Sequence, residues 1–268
     1  MEAASRILLH RFRTTDFNIL NRLQARALCV MPIEDTNLMS SLQDGFRAVV
    51  LGASGGVGRA ICDDLKRSPR LRELVELSRS QDGFDLLDEA SIAKHAWSLS
   101  GDPIHLLICA TGILTVEDTP PEKALRHLDP DVMLAQFRTN AIGPALVAKH
   151  FLPLLDRNAR SIAAFLSARV GSIGDNRLGG WISYRASKAA LNQVVRTASI
   201  EIARTHPSSV VVAIHPGTVR TSLSKPYSAN HPTVSAYEAA ANILGALDDL
   251  DSSRTGSFVA YDSSKIPW

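Results

Sequence analysis

The chain has 268 residues and a formal net charge of +2, with 45% hydrophobic and 21% charged residues. That composition suits one large α/β domain and gives no electrostatic pull on nucleic acid or membrane. The three cysteines (Cys29, Cys62, Cys109) form neither a disulfide framework nor a metal-ligand spacing, no HxxxH or HExxH pair occurs, and no apolar run reaches membrane-spanning length; the expectation is a cytoplasmic protein with no metal, nucleic acid or membrane partner.

Residues 1–40 differ from the rest. Arg6, Arg11, Arg13, Arg22 and Arg26 are spread among Ile7, Leu8, Leu9, Phe12, Ile19, Leu20 and Leu23, and only Glu2 and Asp16 are acidic before Glu34. This resembles an organelle-targeting presequence. The alternatives are a partly helical extension or a start assigned too early, with Met31 or Met39 as the natural one. We therefore set 1–40 apart as an extension and read 41–268 as one nucleotide-binding domain.

Arg47–Leu51 is a short apolar strand. It runs into Gly52-Ala53-Ser54-Gly55-Gly56-Val57-Gly58 and then a helix, the strand–turn–helix context in which such glycines bear on phosphate binding. Gly52 permits the tight turn. Gly56 lets a pyrophosphate approach the helix N-terminus, where free N–H groups and the dipole favour an anion, and Gly58 allows close packing on the sheet. Glu73–Leu77 is the second strand. An acidic residue after it suits the ribose 2′-hydroxyl of NAD; here Ser78-Arg79 follows, which favours the 2′-phosphate of NADP, with NAD as the alternative.

Asp88 is an N-cap for a helix from Glu89 to Leu99. A third strand should precede it, but too little chain separates Leu77 from Phe84 for a crossover, so that strand is very short or the connection an arch. His105–Cys109 is a buried strand, followed by the small residues Ala110-Thr111-Gly112. Asp131–Leu155 reads as one long helix with Asn140-Ala141-Ile142-Gly143-Pro144 in its middle. Proline in a helix interior costs ~3 kcal/mol, and such a local conflict often marks a functional site.

Ile162–Leu166 is a further strand. Its loop carries Ser167, Arg169 and Ser172, and a helix from Trp181 to Arg204 follows, apolar at Leu191, Val194, Val195 and Ala198. Val210–Ile214 is the next strand, leading to His215-Pro216-Gly217-Thr218. Ser222–Thr233 is a polar, proline-containing stretch of lid type, Ser235–Leu250 a helix and Ser257–Ala260 a last strand. The whole is a doubly wound, Rossmann-type parallel sheet of about seven strands with helices on both faces. Tyr184 and Lys188 stand one turn apart on a helix, so phenol and ammonium share a face. A nearby cation would lower the phenol pKa toward a useful range.

The glycine turn, Ala110-Thr111-Gly112, Asn140, Tyr184-x-x-x-Lys188 and Pro216-Gly217, in this order, resemble the short-chain dehydrogenase/reductase family over about Phe46 to Ala260. The run SARVGSIGDNRLGGW before YRASKAALN is similar to its C-factor-like and sniffer-type carbonyl reductases. The resemblance implies that Tyr184 is the general acid or base, that Lys188 binds the nicotinamide ribose and tunes Tyr184, and that Asn140 holds a water in a proton relay to Lys188. It implies that Gly52, Ser54, Gly56, Val57, Gly58 and Arg79 line the pyrophosphate and adenosine, Asp85 and Leu86 the adenine, Ala110 and Gly112 the ribose, and Pro216, Gly217 and Thr218 the carboxamide.

Three positions depart from the family pattern: Cys109-Ala110-Thr111-Gly112 replaces Asn-Asn-Ala-Gly, Leu51 replaces a threonine, and Ala168 stands where the catalytic serine belongs. Ser167 is the candidate hydroxyl, against Ser172 or no serine. A one-residue shift turns a strand side chain to the other face, so Ser167 needs a bulge or turn to serve.

The function expected is an NADP-dependent oxidoreductase moving a hydride between nicotinamide and a carbonyl or alcohol. The alternative is a nucleotide-binding sensor of the same fold. Ile113, Leu114, Ile173, Trp181 and Tyr227 are candidate pocket walls, and a homodimer or homotetramer is the family expectation.

Overall fold

A computed structural model describes residues 38–224 and 232–268 of the chain. Six strands form one sheet: β1 (Phe46–Leu51), β2 (Leu71–Leu77), β3 (Leu106–Cys109), β4 (Ser161–Leu166), β5 (Ser209–His215) and β6 (Phe258–Ala260). Their order is β2-β1-β3-β4-β5-β6, and every pairing is parallel. Around it lie α1 (Gly56–Leu65), α2 (Arg79–Asp82), α3 (Glu89–Ser98), α4 (Pro130–Phe137), α5 (Gly143–Phe151), α6 (Ile182–Ile202) and α7 (Ala236–Asp248).

Successive strand residues point to opposite faces, and both faces are covered, which is why the inner strands read as unbroken apolar runs. Val50, Ile108, Ala164 and Val212 pack with Ile61 of α1 and Ile243 of α7. Val49, Leu107, Ala163 and Val211 pack on the other face with Phe151 of α5 and Leu191 of α6. The chain steps from β1 to β2, then crosses to β3 on the other side of β1. A crevice opens at such a switch point, outside the carboxyl ends of β1 and β3.

The doubly wound parallel architecture is as expected, but the described sheet has six strands rather than about seven. The missing one is the third. Ser78 accepts a hydrogen bond from Gln81 N–H at 3.3 Å and caps the short α2, which Gly83 ends at φ +69°. The segment SRSQDG, which would have had to reach the free edge of β2, turns instead. Asp88 caps α3 as predicted, accepting from Ala90 N–H at 2.9 Å.

The helix expected over 131–155 is interrupted. Between α4 and α5 lies one π-helical turn, Arg138–Ile142, in which Gly143 N–H bonds the Arg138 carbonyl five residues back. Pro144 has no N–H to offer Asn140, and a wider turn absorbs that loss. Gly143 itself sits against Leu86: a Cβ there would lie 2.9 Å from the Leu86 carbonyl oxygen.

Met39 and Leu42 are fully packed into the core, and Ser40 and Ser41 bond the Asp248 carboxylate. The packed chain thus takes in residues just ahead of 41. The presequence-like stretch 1–37, and 225–231 of the lid-type segment with Tyr227, lie outside the described residues. Among the described residues no helix is long and apolar enough to cross a membrane, and no metal-binding cluster occurs.

Candidate active site

A cavity of about 1010 Å³ opens at the switch point, from Gly55–Val57 past Ala110–Gly112 to Tyr184 and Lys188, with His215–Val219 across from them. One end is made of backbone. Gly52 turns at φ +83°, and a Cβ on it would stand 2.8 Å from the Ala110 carbonyl oxygen. Gly58 packs on the Gly52 carbonyl. Gly55 is the N-cap of α1, and no side chain caps that helix, so its first N–H groups face the cavity uncapped.

The other end is made of side chains. Asn140, wholly buried in the π turn, accepts from Ile113 N–H at 2.8 Å and donates to the Ile113 carbonyl at 2.9 Å. The same amide donates to Gln136 Oε1 at 2.7 Å and Ser187 Oγ at 3.1 Å. Asn140 thereby ties the loop after β3 to α6. A Cβ on Gly112 would lie 3.1 Å from both Asn140 Oδ1 and Lys188 Nζ. The two polar groups converge on one spot, and only glycine leaves it open.

Lys188 Nζ donates to the Leu166 carbonyl at 2.9 Å. Burial lowers its pKa to about 8, with Cys109 opposing. Burial pushes the Tyr184 phenol up to about 12. The phenol pKa was expected to fall; here desolvation wins, because the ammonium is engaged with the Leu166 carbonyl rather than the phenolic oxygen. At neutral pH the phenol holds its proton.

The serines also depart from expectation. Ser167 lies in the cavity wall, but its hydroxyl donates to Asn192 Oδ1 at 2.6 Å. Ser172 donates to the Pro267 carbonyl and accepts from Asp175 N–H at 3.0 Å, away from the cavity. Ala168, the next residue, lines the cavity beside Ser167 and carries no hydroxyl.

Of the other expected residues, Gly56, Val57, Ala110, Gly112, Pro216, Gly217 and Thr218 line the cavity. Ser54 and Arg79 are exposed. Asp85 accepts from Leu87 N–H at 2.9 Å, and Leu86 packs on Gly143; both lie outside the cavity wall, near the β2 end. Leu114 and Trp181 are walls as expected. Ile113 is held by its backbone and is not a wall, and Ile173 is 78% exposed.

Two features escaped sequence reasoning. His215, the last residue of β5, lines the cavity with its Nδ1 buried and unpartnered. Burial holds its pKa down to about 4, with Arg169 acting the same way and Asp262 opposing. Its place just before Pro216-Gly217 was the available signal. The second is a strained run: Gly179, Gly180 and Trp181 are successive left-handed residues at φ +64°, +67° and +52°. Strain of this kind persists only where surroundings hold it. Here Trp181 N–H donates to the Glu122 carbonyl at 2.6 Å, and the buried Glu122 carboxylate accepts from the Ser183 hydroxyl and N–H. Trp181 meets Tyr184 edge-on at 6.3 Å between centroids.

The family model described as short chain dehydrogenase matches residues 85–232, a stretch that contains both Asn140 and Tyr184-x-x-x-Lys188. The chain belongs to the short-chain dehydrogenase family. It is similar to the 1-hydroxy-2-glutathionyl-2-methyl-3-butene dehydrogenase of a Rhodococcus species, at 30% identity over 69% of this chain and 79% of the relative. It is also similar to C-signal of Myxococcus xanthus, at 35% over 54% of this chain and 84% of that one. Its fold is that of the NADPH-bound carbonyl reductase from chicken fatty liver, with a TM-score of 0.73 at 24% identity, covering 85% of this chain and 95% of that one. The likeness to C-signal thus holds in sequence and that to the carbonyl reductase in fold, and this short-chain dehydrogenase is an oxidoreductase.

Proposed function

We propose that the enzyme moves a hydride between NADP and a carbonyl or alcohol carbon, with Tyr184, Lys188 and Asn140 as its polar machinery. One observation carries the reading: Tyr184 and Lys188 share a cavity with the uncapped N-terminus of α1. That end fits a dinucleotide, since free N–H groups without a side-chain cap suit a pyrophosphate. In this reading Gly52, Ser54, Gly56, Val57 and Gly58 cradle it, and Arg79 beside Ser78 takes the 2′-phosphate. Asp85 and Leu86 flank the adenine, Ala110 and Gly112 the ribose, and Pro216, Gly217 and Thr218 the carboxamide. The nicotinamide would supply or accept the hydride.

The residues of the chain do the rest. Tyr184, neutral at working pH, holds the proton that a reduced carbonyl oxygen needs. Lys188, with its pKa of about 8, remains mostly charged at neutrality and would bind the nicotinamide ribose. Asn140 fixes the β3 loop and faces Lys188 Nζ, the position from which a relay to solvent would start. Ala168 offers no hydroxyl, and one missing oxyanion donor can cost ~10²-fold in rate. Slow turnover follows, and that same methyl favours the second reading, a nucleotide-binding sensor. Self-association through α4, the π turn and α6, where Leu134, Ile142 and Ile200 respectively are about half exposed, completes the proposal.

The test is oxidation of NADPH against aldehydes, ketones and quinones, with Tyr184→Phe in parallel. Turnover that Tyr184→Phe lowers by ~10³-fold is expected. Equal rates for the two proteins would sink the role of Tyr184, and cofactor binding without turnover would favour the sensor. A fluorescence titration should show tighter binding of NADPH than NADH; equal or reversed affinities would remove Arg79 from the reading.

A further inference from the structure

The substrate end of the cavity is cationic. Among the described residues Arg169, Arg177, Arg185 and Lys123 line it, against one acid, Asp175. Arg169 is paired with Asp175 at 3.0 Å. Arg185 is partly buried and meets no carboxylate among the described residues. Its guanidinium donates to the carbonyls of Gly180 at 2.9 Å, Gly179 at 3.0 Å and Val170 at 3.2 Å. Those dipoles satisfy its hydrogen bonds but leave its charge uncompensated, and they brace the loop that presents Arg177. Arg177 and Lys123 have no hydrogen bond or ion pair among the described residues.

These cations are badly placed for dinucleotide phosphates. Arg169, Arg177 and Arg185 belong to the connection leaving β4, two strand positions from β1. At the usual strand spacing the end of β4 lies ~10 Å from the end of β1, which carries the glycine turn. Leu114, Leu178 and Trp181 add apolar surface to the same cavity wall. A cavity with an apolar wall and an unneutralised cationic rim suits a molecule with an apolar body and an anionic end.

We infer that the enzyme acts on carbonyl or alcohol substrates that carry a carboxylate distal to the reacting carbon, with Arg177 and Lys123 as the pairing cations. This rests on the oxidoreductase reading above. The Arg177 guanidinium and Lys123 ammonium are exposed, so they discriminate an acid from its ester through charge-assisted hydrogen bonds that solvent and salt screen.

The experiment compares para-formylbenzoate with its methyl ester under NADPH. We expect kcat/KM for the acid to exceed that for the ester by ~10-fold at low salt, the advantage shrinking as salt rises. Arg177→Gln with Lys123→Gln should bring the acid-to-ester ratio to about one, and Arg177→Glu should push it below one. A ratio near one in the native enzyme, or one that these substitutions leave unmoved, overturns the inference. A second readout does not need turnover. Binding of para-toluate and of the neutral para-toluamide is followed by calorimetry, with and without NADP. Preferential binding of toluate that is lost in Arg177→Gln/Lys123→Gln supports the anion site even if no aldehyde is reduced, in which case the oxidoreductase reading alone fails. No preference for toluate overturns the anion site whatever the turnover.

Discussion

The two ends of the cavity are built by different means. At the β1 end the surface is backbone: a glycine turn, the bare N-terminus of α1, and close contacts that exclude any Cβ. At the β4 end the surface is side chains held by hydrogen bonds to backbone and to other side chains: Asn140 on Ile113, Ser167 on Asn192, Glu122 on Ser183, Arg185 on three carbonyls. The first kind of construction tolerates almost no change of residue type. The second leaves room for individual residues to differ while the frame survives.

That contrast makes substitutions at the two ends behave differently. The largest effect is expected at the backbone end. Gly58→Val would drive side-chain atoms into the Gly52 carbonyl, with no flexible group to give way. We expect a loss of more than ~3 kcal/mol of stability, read by chemical denaturation or as insoluble protein; a variant as stable as the native chain would break the comparison. Asn140→Ala comes next. It leaves the buried N–H and carbonyl of Ile113 without partners, which should cost ~1–3 kcal/mol per group left unsatisfied and lower the melting temperature along with activity.

Smaller effects are expected at the side-chain end. Ala168→Ser would place a hydroxyl in the cavity wall and should raise kcat by ~10-fold. Ser167→Ala should change kcat by less than ~3-fold while costing ~1 kcal/mol through the lost bond to Asn192. The reverse pattern in a kinetic comparison of these two variants would show that Ser167 reaches the substrate after all.

The smallest effect concerns pH. The folded-state pKa of His215, about 4, lies below its ordinary 6.5, so folding favours the neutral ring. Its contribution is therefore present above pH 6.5 and is lost as pH falls through 6.5 toward 4. Burial moves His105 and His206 the same way. Melting temperature should decline over that window, and His215→Gln should make the decline shallower without removing it. An unchanged slope would mean that His215 does not report on the cavity wall.

Much of this was legible in the chain alone. Strands buried on both faces must be continuously apolar, so VVL, LLIC, IAAFL and VVVAI declared the sheet. Backbone that approaches backbone must be glycine, so Gly52, Gly56 and Gly58 declared the turn. The four-residue step from Tyr184 to Lys188 put both on one helix face. The conflict at Gly143-Pro144 pointed to a break in the helix, though not to its form, since a π turn differs from an α turn only in which carbonyl each N–H reaches.

The rest needed the tertiary structure. Whether Ser78–Gly83 forms a strand or turns depends on whether a neighbouring edge needs it, which no local pattern encodes. Whether Lys188 lowers the Tyr184 pKa depends on where Nζ points, and the Leu166 carbonyl decides that. Which of Ser167, Ala168 and Ser172 meets the cavity depends on how the chain leaves β4 against α6. The sequence by itself determined the sheet, the glycine turn and the tyrosine–lysine pair, because these follow from periodicity and backbone sterics. Only the tertiary structure decided the protonation of that pair, the loss of the serine hydroxyl and the cationic rim, because these depend on which groups from distant parts of the chain are brought within a few ångströms of one another.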